Sequence, residues 1–346
     1  MKIKNKIFTF SIIIIFAIIL ITGCTSKGQK DTQNNQNNSN QEENKAELEN
    51  ITIVLDWVPN TNHTGLYVAK DKGYYEEEGL NVNILQPSEG GSAALVAAGQ
   101  AHFGISYQEE VTYARTAKDP LPIKAVAAII QHNTSGFASP VSKGIQSPKD
   151  FEGKRYGGWG SPTEEAMLKG LMQKVGGDFS KISMVNIGEA DFFAATQRDV
   201  DFAWIYYGWD GVASEIKNIP INFIKLQDVV PELDFYTPVI ISSENFLEKN
   251  PEIASKFLKA TSKGYEYAIN NPEDAVNSLL KAAPEIDKDI AVASQKYLAN
   301  EYISDAEKWG VMKEEIWETY GNWMFENGLL ESKLDVKGAF TNEFLP

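Results

Sequence analysis

Residues 51–85 read ITIVLDWVPNTNHTGLYVAKDKGYYEEEGLNVNIL, and their pattern decides the fold. The first five are a β-branched apolar run of strand length. Over 64–78, Leu66, Tyr67, Ala69 and Tyr74 fall near helical spacing, and Gly79 ends that helix. Residues 81–85 then alternate as a second strand. The same alternation continues outward. A helix over 92–98 follows Gly90-Gly91, strands at 103–105 and 123–130 flank a helix over 109–117, and an α/β lobe with a largely parallel sheet is the expectation.

A second α/β unit is expected after Ser147-Pro148-Lys149-Asp150, where Pro and Gly punctuate the chain. Its strands are read at 155–158, 183–187, 202–206 and 222–225, with helices near 163–174, 191–197 and 210–217. A strand over 236–242 and five late helices then return to pack on the first lobe. The expected division is lobe one at 51–140 and 236–346 and lobe two at 141–235. Two crossing segments between two lobes make a hinged cleft, and ligands in open α/β sheets sit beyond the carboxyl ends of the strands.

The amino terminus has a different character. Lys2, Lys4 and Lys6 precede an apolar run over 7–21, which reads as a secretory signal peptide over 1–23. Ile21-Thr22-Gly23-Cys24 resembles a bacterial lipobox, with Cys24 as the lipidated new terminus. The alternative is a retained transmembrane helix, but about fifteen residues at ~1.5 Å each fall short of a ~30 Å hydrocarbon core. Residues 24–50 are polar, without aromatics between 27 and 50, and read as a disordered tether. Cys24 is the one cysteine, which excludes an intrachain disulfide and a multi-thiolate metal site. The net charge of -15 becomes -18 once three lysines leave with residues 1–23, so nucleic acid is a poor partner.

The strand ends carry the chemistry. Asp56, Trp57, Pro59, Asn60, Asn62 and His63 follow the first strand; Ser106, Tyr107, Gln108 and Glu109 follow the third. In the second lobe Gly157-Gly158-Trp159-Gly160 ends one strand, and Tyr206, Tyr207, Gly208, Trp209 and Asp210 end another. Trp57 either offers a stacking face or plugs the edge of its lobe, and Asp56 either accepts a ligand hydrogen bond or caps a turn. Recurrence of the pattern favours the first of each pair. Flat aromatics beside carboxylates suit a planar ligand presenting amino hydrogens, although sugars also stack on indoles. The Gly157–Gly160 turn would let a ligand or phosphate approach backbone N–H groups. His63, His102 and His132 form no metal-binding pair, and no nucleophile elbow is present, so binding rather than catalysis is expected, with no cofactor and no metal.

Asp56-Trp57-Val58-Pro59-Asn60-Thr61-Asn62-His63, followed by Lys72-Gly73-Tyr74-Tyr75, resembles the NMT1/THI5-like family. Gly99-Gln100-Ala101-His102-Phe103-Gly104, the 147–154 stretch and Tyr206-Tyr207-Gly208-Trp209-Asp210-Gly211 extend the likeness to about residue 270. The resemblance is to members that bind a formylaminopyrimidine, a thiamine-derived pyrimidine, for an ABC importer. It implies a type II periplasmic-binding-protein fold, an extracytoplasmic location at the cell membrane through the lipid anchor, and ABC permease and ATPase subunits as partners. By it Trp57 stacks on the pyrimidine while Asp56, Tyr206 and Asp210 hydrogen-bond it. Tyr107, Glu109, Trp159 and Glu164 are further candidates, and His63 either contacts ligand or orients its loop. Sulfonate, nitrate and riboflavin binders share the wider pattern. The family also includes pyrimidine synthases. Where those enzymes resemble Lys-x-x-x-His this chain has Ser106 and Glu110, and where their cysteines fall it has Phe235, Tyr236 and Thr237. Those departures speak against turnover.

Overall fold

The computed structural model describes residues 47–86, 91–188 and 190–346. The signal segment, Cys24 and the tether up to residue 46 lie outside the described residues. Ten strands form two five-stranded sheets. The first holds β1 (Glu49–Val54), β2 (Leu80–Leu85), β3 (Phe103–Ser106), β4 (Ile123–Ala128) and β10 (Val239–Ser243) in the order β2-β1-β3-β10-β4. The second holds β5 (Ser135–Pro140), β6 (Arg155–Gly158), β7 (Ser183–Asn186), β8 (Phe202–Tyr206) and β9 (Ile221–Lys225) in the order β7-β6-β8-β5-β9. In each sheet four strands run in one direction, while the fifth, β10 or β5, runs antiparallel to both its neighbours.

Strand β1 begins at Glu49, two residues before the expected start, because Glu49 and Asn50 already pair with Leu80 and Asn81 of β2. Ile51, Ile53 and Leu55 pack with Leu66, Phe257, Leu258 and Tyr265 on one face, while Val54 joins Val96, Val111 and Ile241 on the other. Both faces of the first sheet are therefore covered, as a largely parallel sheet requires. The helix expected over 64–78 is two helices, Thr64–Asp71 and Tyr74–Glu77, because Gly73 turns left-handed at φ 76° between them. Thr64–Asp71 lies so close to the helix Pro251–Asn270 that a Cβ on Gly264 would sit on the Gly65 carbonyl oxygen.

Two expectations about the lobes need correction. Strand β5, within the range assigned to lobe one, pairs with β8 and β9 in the second sheet, so the first crossing spans 129–134 rather than falling near 140. The helix Glu314–Glu326 does not pack on the first lobe alone. Its apolar stripe puts Trp317 in the first-lobe core and Tyr320 and Met324 in the second-lobe core, with Phe151, Tyr156 and Phe202. The helix Lys288–Glu301 also reaches across, with the Ser294 hydroxyl donating to the Gly208 carbonyl and Tyr297 against Tyr207. At the crossings His132 bridges Asp234 at 2.7 Å and Asp305 at 3.1 Å, and Lys313 pairs with Asp305 at 2.8 Å. One strand-to-strand path and its return are thus tied together by charge.

Candidate functional site

The loop after β1 is built from beneath. Asn60 caps the short turn Thr61–His63, its side-chain oxygen accepting from the Asn62 amide at 2.9 Å. The Asn60 amide donates to His63 Nδ1 at 3.2 Å, so the ring proton sits on Nε2, which donates to Asp56 Oδ1 at 2.7 Å. Tyr265 donates to the Asn62 carbonyl and Tyr302 to that of Thr61, which fixes the turn to two long helices of the first lobe. His63 is fully buried and its Nε2 is committed to Asp56.

Asp56 takes a second bond from across the sheet. Tyr107, at the end of β3, donates to Asp56 Oδ2 at 2.6 Å. Burial pushes this carboxyl upward, but the bonds from His63 and then Tyr107 outweigh it and hold its pKa below the ordinary range. It is an ionised carboxylate with a lone pair on each oxygen still open to a donor. On the same loop Trp57 is 41% exposed beside the exposed Val58, an indole face next to a fixed negative charge.

The start of the helix Gln108–Thr116 forms the next wall. Gln108 exchanges hydrogen bonds with the Tyr236 backbone on the second crossing, at 3.1 and 2.8 Å. The Ser106 hydroxyl donates to Glu110 at 2.5 Å. Glu109 is buried, and burial together with the charge of Glu110 raises its carboxyl to about 8. From the second lobe Tyr206, at the end of β8, brings its hydroxyl to 3.5 Å from that of Thr237. Its phenol is raised by burial and by the charges of Glu109 and Asp56, which places these groups in one electrostatic neighbourhood.

The turn after β6 departs from its expected use. Glu164 Oε1 accepts from the Tyr156 hydroxyl at 2.6 Å and the Trp159 amide at 3.1 Å; Oε2 accepts from the Gly160 and Ser161 amides at 2.7 and 2.9 Å. With Ser161 it closes a capping box on the helix Pro162–Lys174. Glu164 is therefore a loop-building residue with its acceptor sites occupied, and the amides that would have cradled a phosphate already serve its carboxylate. Trp159, 46% exposed, leans on Trp204 with ring centroids 5.7 Å apart.

Hydrogen bonds bring Asp56, His63 and Tyr107 together, Glu109 and Tyr206 share their electrostatic neighbourhood, and Trp57 and Trp159 stand exposed at strand ends of the two lobes. Asp210 is not in that cluster. Burial and the neighbouring charge of Asp191 raise it to about 7, and Lys217 is its other charged neighbour. Thr237, 3.5 Å from the Tyr206 hydroxyl, and Tyr320, whose phenol is raised by burial and by Glu109 and Tyr206, carry no strand-end signal in the sequence. Among the described residues no cluster of three or more His, Cys, Asp and Glu side chains is arranged to hold a metal ion, and no helix is long and apolar enough to cross a membrane.

Two α/β sheets of like strand order, joined by two crossings, with aromatic and acidic side chains converging on the strand ends, define the type II periplasmic-binding-protein fold. A solved alkanesulfonate-binding protein, SsuA of Xanthomonas axonopodis pv. citri, has that fold. It superposes with a TM-score of 0.66 at 13% identity, over 86% of this chain and 99% of its own. The family model described as NMT1/THI5 like matches residues 60–275, and the chain belongs to that family. It is 29% identical over 342 residues to the formylaminopyrimidine-binding protein of Halalkalibacterium halodurans, covering 96% of this chain and 98% of that one. It is 26% identical to the riboflavin-binding protein RibY of Chloroflexus aurantiacus, over 99% and 98%. It is also 25% identical to a 4-amino-5-hydroxymethyl-2-methylpyrimidine phosphate synthase of Legionella pneumophila, over 86% and 92%.

Proposed function

We propose that this chain is the extracytoplasmic solute-binding component of an ABC importer, and that its solute is a thiamine-derived pyrimidine of the formylaminopyrimidine class. The observation that carries this reading is the Asp56–Trp57 pair. An ionised carboxylate held by His63 and Tyr107 adjoins an exposed indole, and together they suit a flat ring with an exocyclic amine. Tyr107 and Tyr206 supply further hydroxyls, Trp159 a second aromatic face from the other lobe, and Asp210 a carboxyl further along the rim. A sulfonate or nitrate fits less well. The amides of Trp159, Gly160 and Ser161 already bond Glu164, and the Asp56 charge would repel an anion. Cys24 as lipid anchor and the 24–50 tether would hold the domain beside its permease and ATPase.

The synthase relative gives a second reading, a pyrimidine-forming enzyme. Against it, Ser106 and Glu110, where the synthases resemble Lys-x-x-x-His, bond each other, and the cysteine positions hold Phe235, Tyr236 and Thr237. Isothermal titration with formylaminopyrimidine, its deformylated amine, thiamine and taurine tests the first reading, which predicts saturable heat from a pyrimidine and none from taurine. Absence of heat from either pyrimidine overturns it. Incubation with pyridoxal phosphate and iron, followed by peptide mass spectrometry, tests the second; a modified active-site peptide would establish turnover.

A further inference from the structure

Several buried polar groups have no partner among the described residues, and two of them, on Glu109 and Tyr320, sit where the start of the helix Gln108–Thr116 meets the helix Glu314–Glu326, the Gln108 side-chain amide donating to the Ile316 carbonyl at 3.4 Å. Glu109 is 7% exposed and its Oε2 accepts no hydrogen bond. Tyr320 is fully buried, its ring 4.5 Å from that of Phe235, and its hydroxyl neither donates nor accepts. They come from different elements, the first turn of Gln108–Thr116 and the middle of Glu314–Glu326, and the Glu109 charge acts on the Tyr320 phenol. It also acts on Tyr107, Tyr113 and Tyr206, so phenols of both lobes lie within reach of its field. No cation contributes to its environment; Glu110 is the charged neighbour that acts on it. An orphaned buried polar atom is unfavourable by itself, and two at one helix junction imply that something fills their bonds.

We infer that the Glu109 carboxyl and the Tyr320 hydroxyl form an inner subsite of the cleft that takes an uncharged donor–acceptor group of the solute, such as an amide or formamide. This rests on the cleft being the solute site and deepens that reading. The chemistry follows from the groups present. Without a cation to balance it, a carboxyl in this position is held as the neutral acid, offering one O–H donor and one carbonyl acceptor. The phenol supplies a second donor or acceptor. A planar amide satisfies such a pair from both sides. Asp56 is the contrasting group, ionised and suited to an amine, so the two carboxyls would read opposite ends of one solute.

The test is isothermal titration from pH 6.5 to 9 on wild type, Glu109→Gln and Tyr320→Phe, with formylaminopyrimidine, its deformylated amine, riboflavin and taurine as probes. Thermal melts of each variant confirm folding. For formylaminopyrimidine, Glu109→Gln keeps affinity within about threefold at pH 6.5, since the amide replaces a neutral acid, and Tyr320→Phe weakens it roughly three- to tenfold, the range for one neutral hydrogen bond. Wild-type affinity falls with rising pH above about 8, while that of Glu109→Gln stays level. Riboflavin bound with the same dependence on both residues, in place of the pyrimidine, keeps the subsite and removes the pyrimidine assignment. Pyrimidine binding indifferent to both variants and to pH keeps the function and overturns the subsite, which then holds a buried water only. Preference for the cationic amine with proton release overturns the neutral subsite; taurine as the sole ligand, or no binding by any probe, overturns both.

Discussion

Trp57→Ala isolates the stacking face. The indole is 41% exposed, so of the ~250 Å² a tryptophan can bury, about 100 Å² remains open for a solute to cover. At ~25 cal/mol per Å², covering most of it contributes about 2 kcal/mol, which agrees with the ~1–3 kcal/mol found for a base on an aromatic side chain. The expected outcome is a loss of affinity for formylaminopyrimidine of about thirtyfold, within a range from roughly fivefold to more than a hundredfold. Trp57→Phe should recover most of it. Isothermal titration gives the affinity, and a thermal melt separates binding from folding. Unchanged affinity with an unchanged melt would refute the stacking argument. A large drop in melting temperature would instead make Trp57 a plug at the edge of its lobe.

Three further outcomes follow from named contacts. Tyr107→Phe removes one of the two bonds that hold Asp56 ionised, so binding should weaken by about three- to tenfold at pH 7. The carboxyl's lowered pKa should also rise, and binding measured from pH 6 downward should fail at a higher pH in the variant; an identical acid limb would remove Tyr107 from that role. His132 is raised by its bond to Asp234, then by that carboxylate's charge and by Asp305. Its contribution to stability is therefore fully present below the unfolded value of ~6.5 and is lost as pH rises through the folded one. His132→Ala should lower the melting temperature at pH 6 more than at pH 9, and equal losses would contradict the clamp. Gly264→Ala places a methyl on the Gly65 carbonyl and should cost ~1–3 kcal/mol or more in urea unfolding; no change would show that the two helices can part freely.

The first lobe was legible because its strands are short apolar runs, rich in β-branched residues and separated by helical ones. β5 was not, since Ser135-Gly136-Phe137-Ala138-Ser139-Pro140 is poor in β-formers. It is a strand because it is enclosed between β8 and β9, and Gly136 is needed there because a side chain would strike the Ile224 carbonyl. The site divides in the same way. Strand-end position pointed to Asp56, Trp57, Tyr107 and Tyr206 as residue types, but a bond between Tyr107 and Asp56, far apart in the chain, depends on strand order. Glu164 carried its true role openly in the sequence: Ser161-Pro162-Thr163-Glu164 is a capping box, and that local signal outranks a position near the cleft. Tyr320 had no signal, because a tyrosine on the apolar stripe of a helix reads as core until its hydroxyl is found without a partner.

The most direct test of the proposed solute and its site is a crystal structure of the protein with formylaminopyrimidine. The ring is expected against the Trp57 indole with its exocyclic amine about 2.7–3.1 Å from an Asp56 oxygen. A solute bound away from Trp57, with Asp56 bonded to His63 and Tyr107 alone, would contradict it.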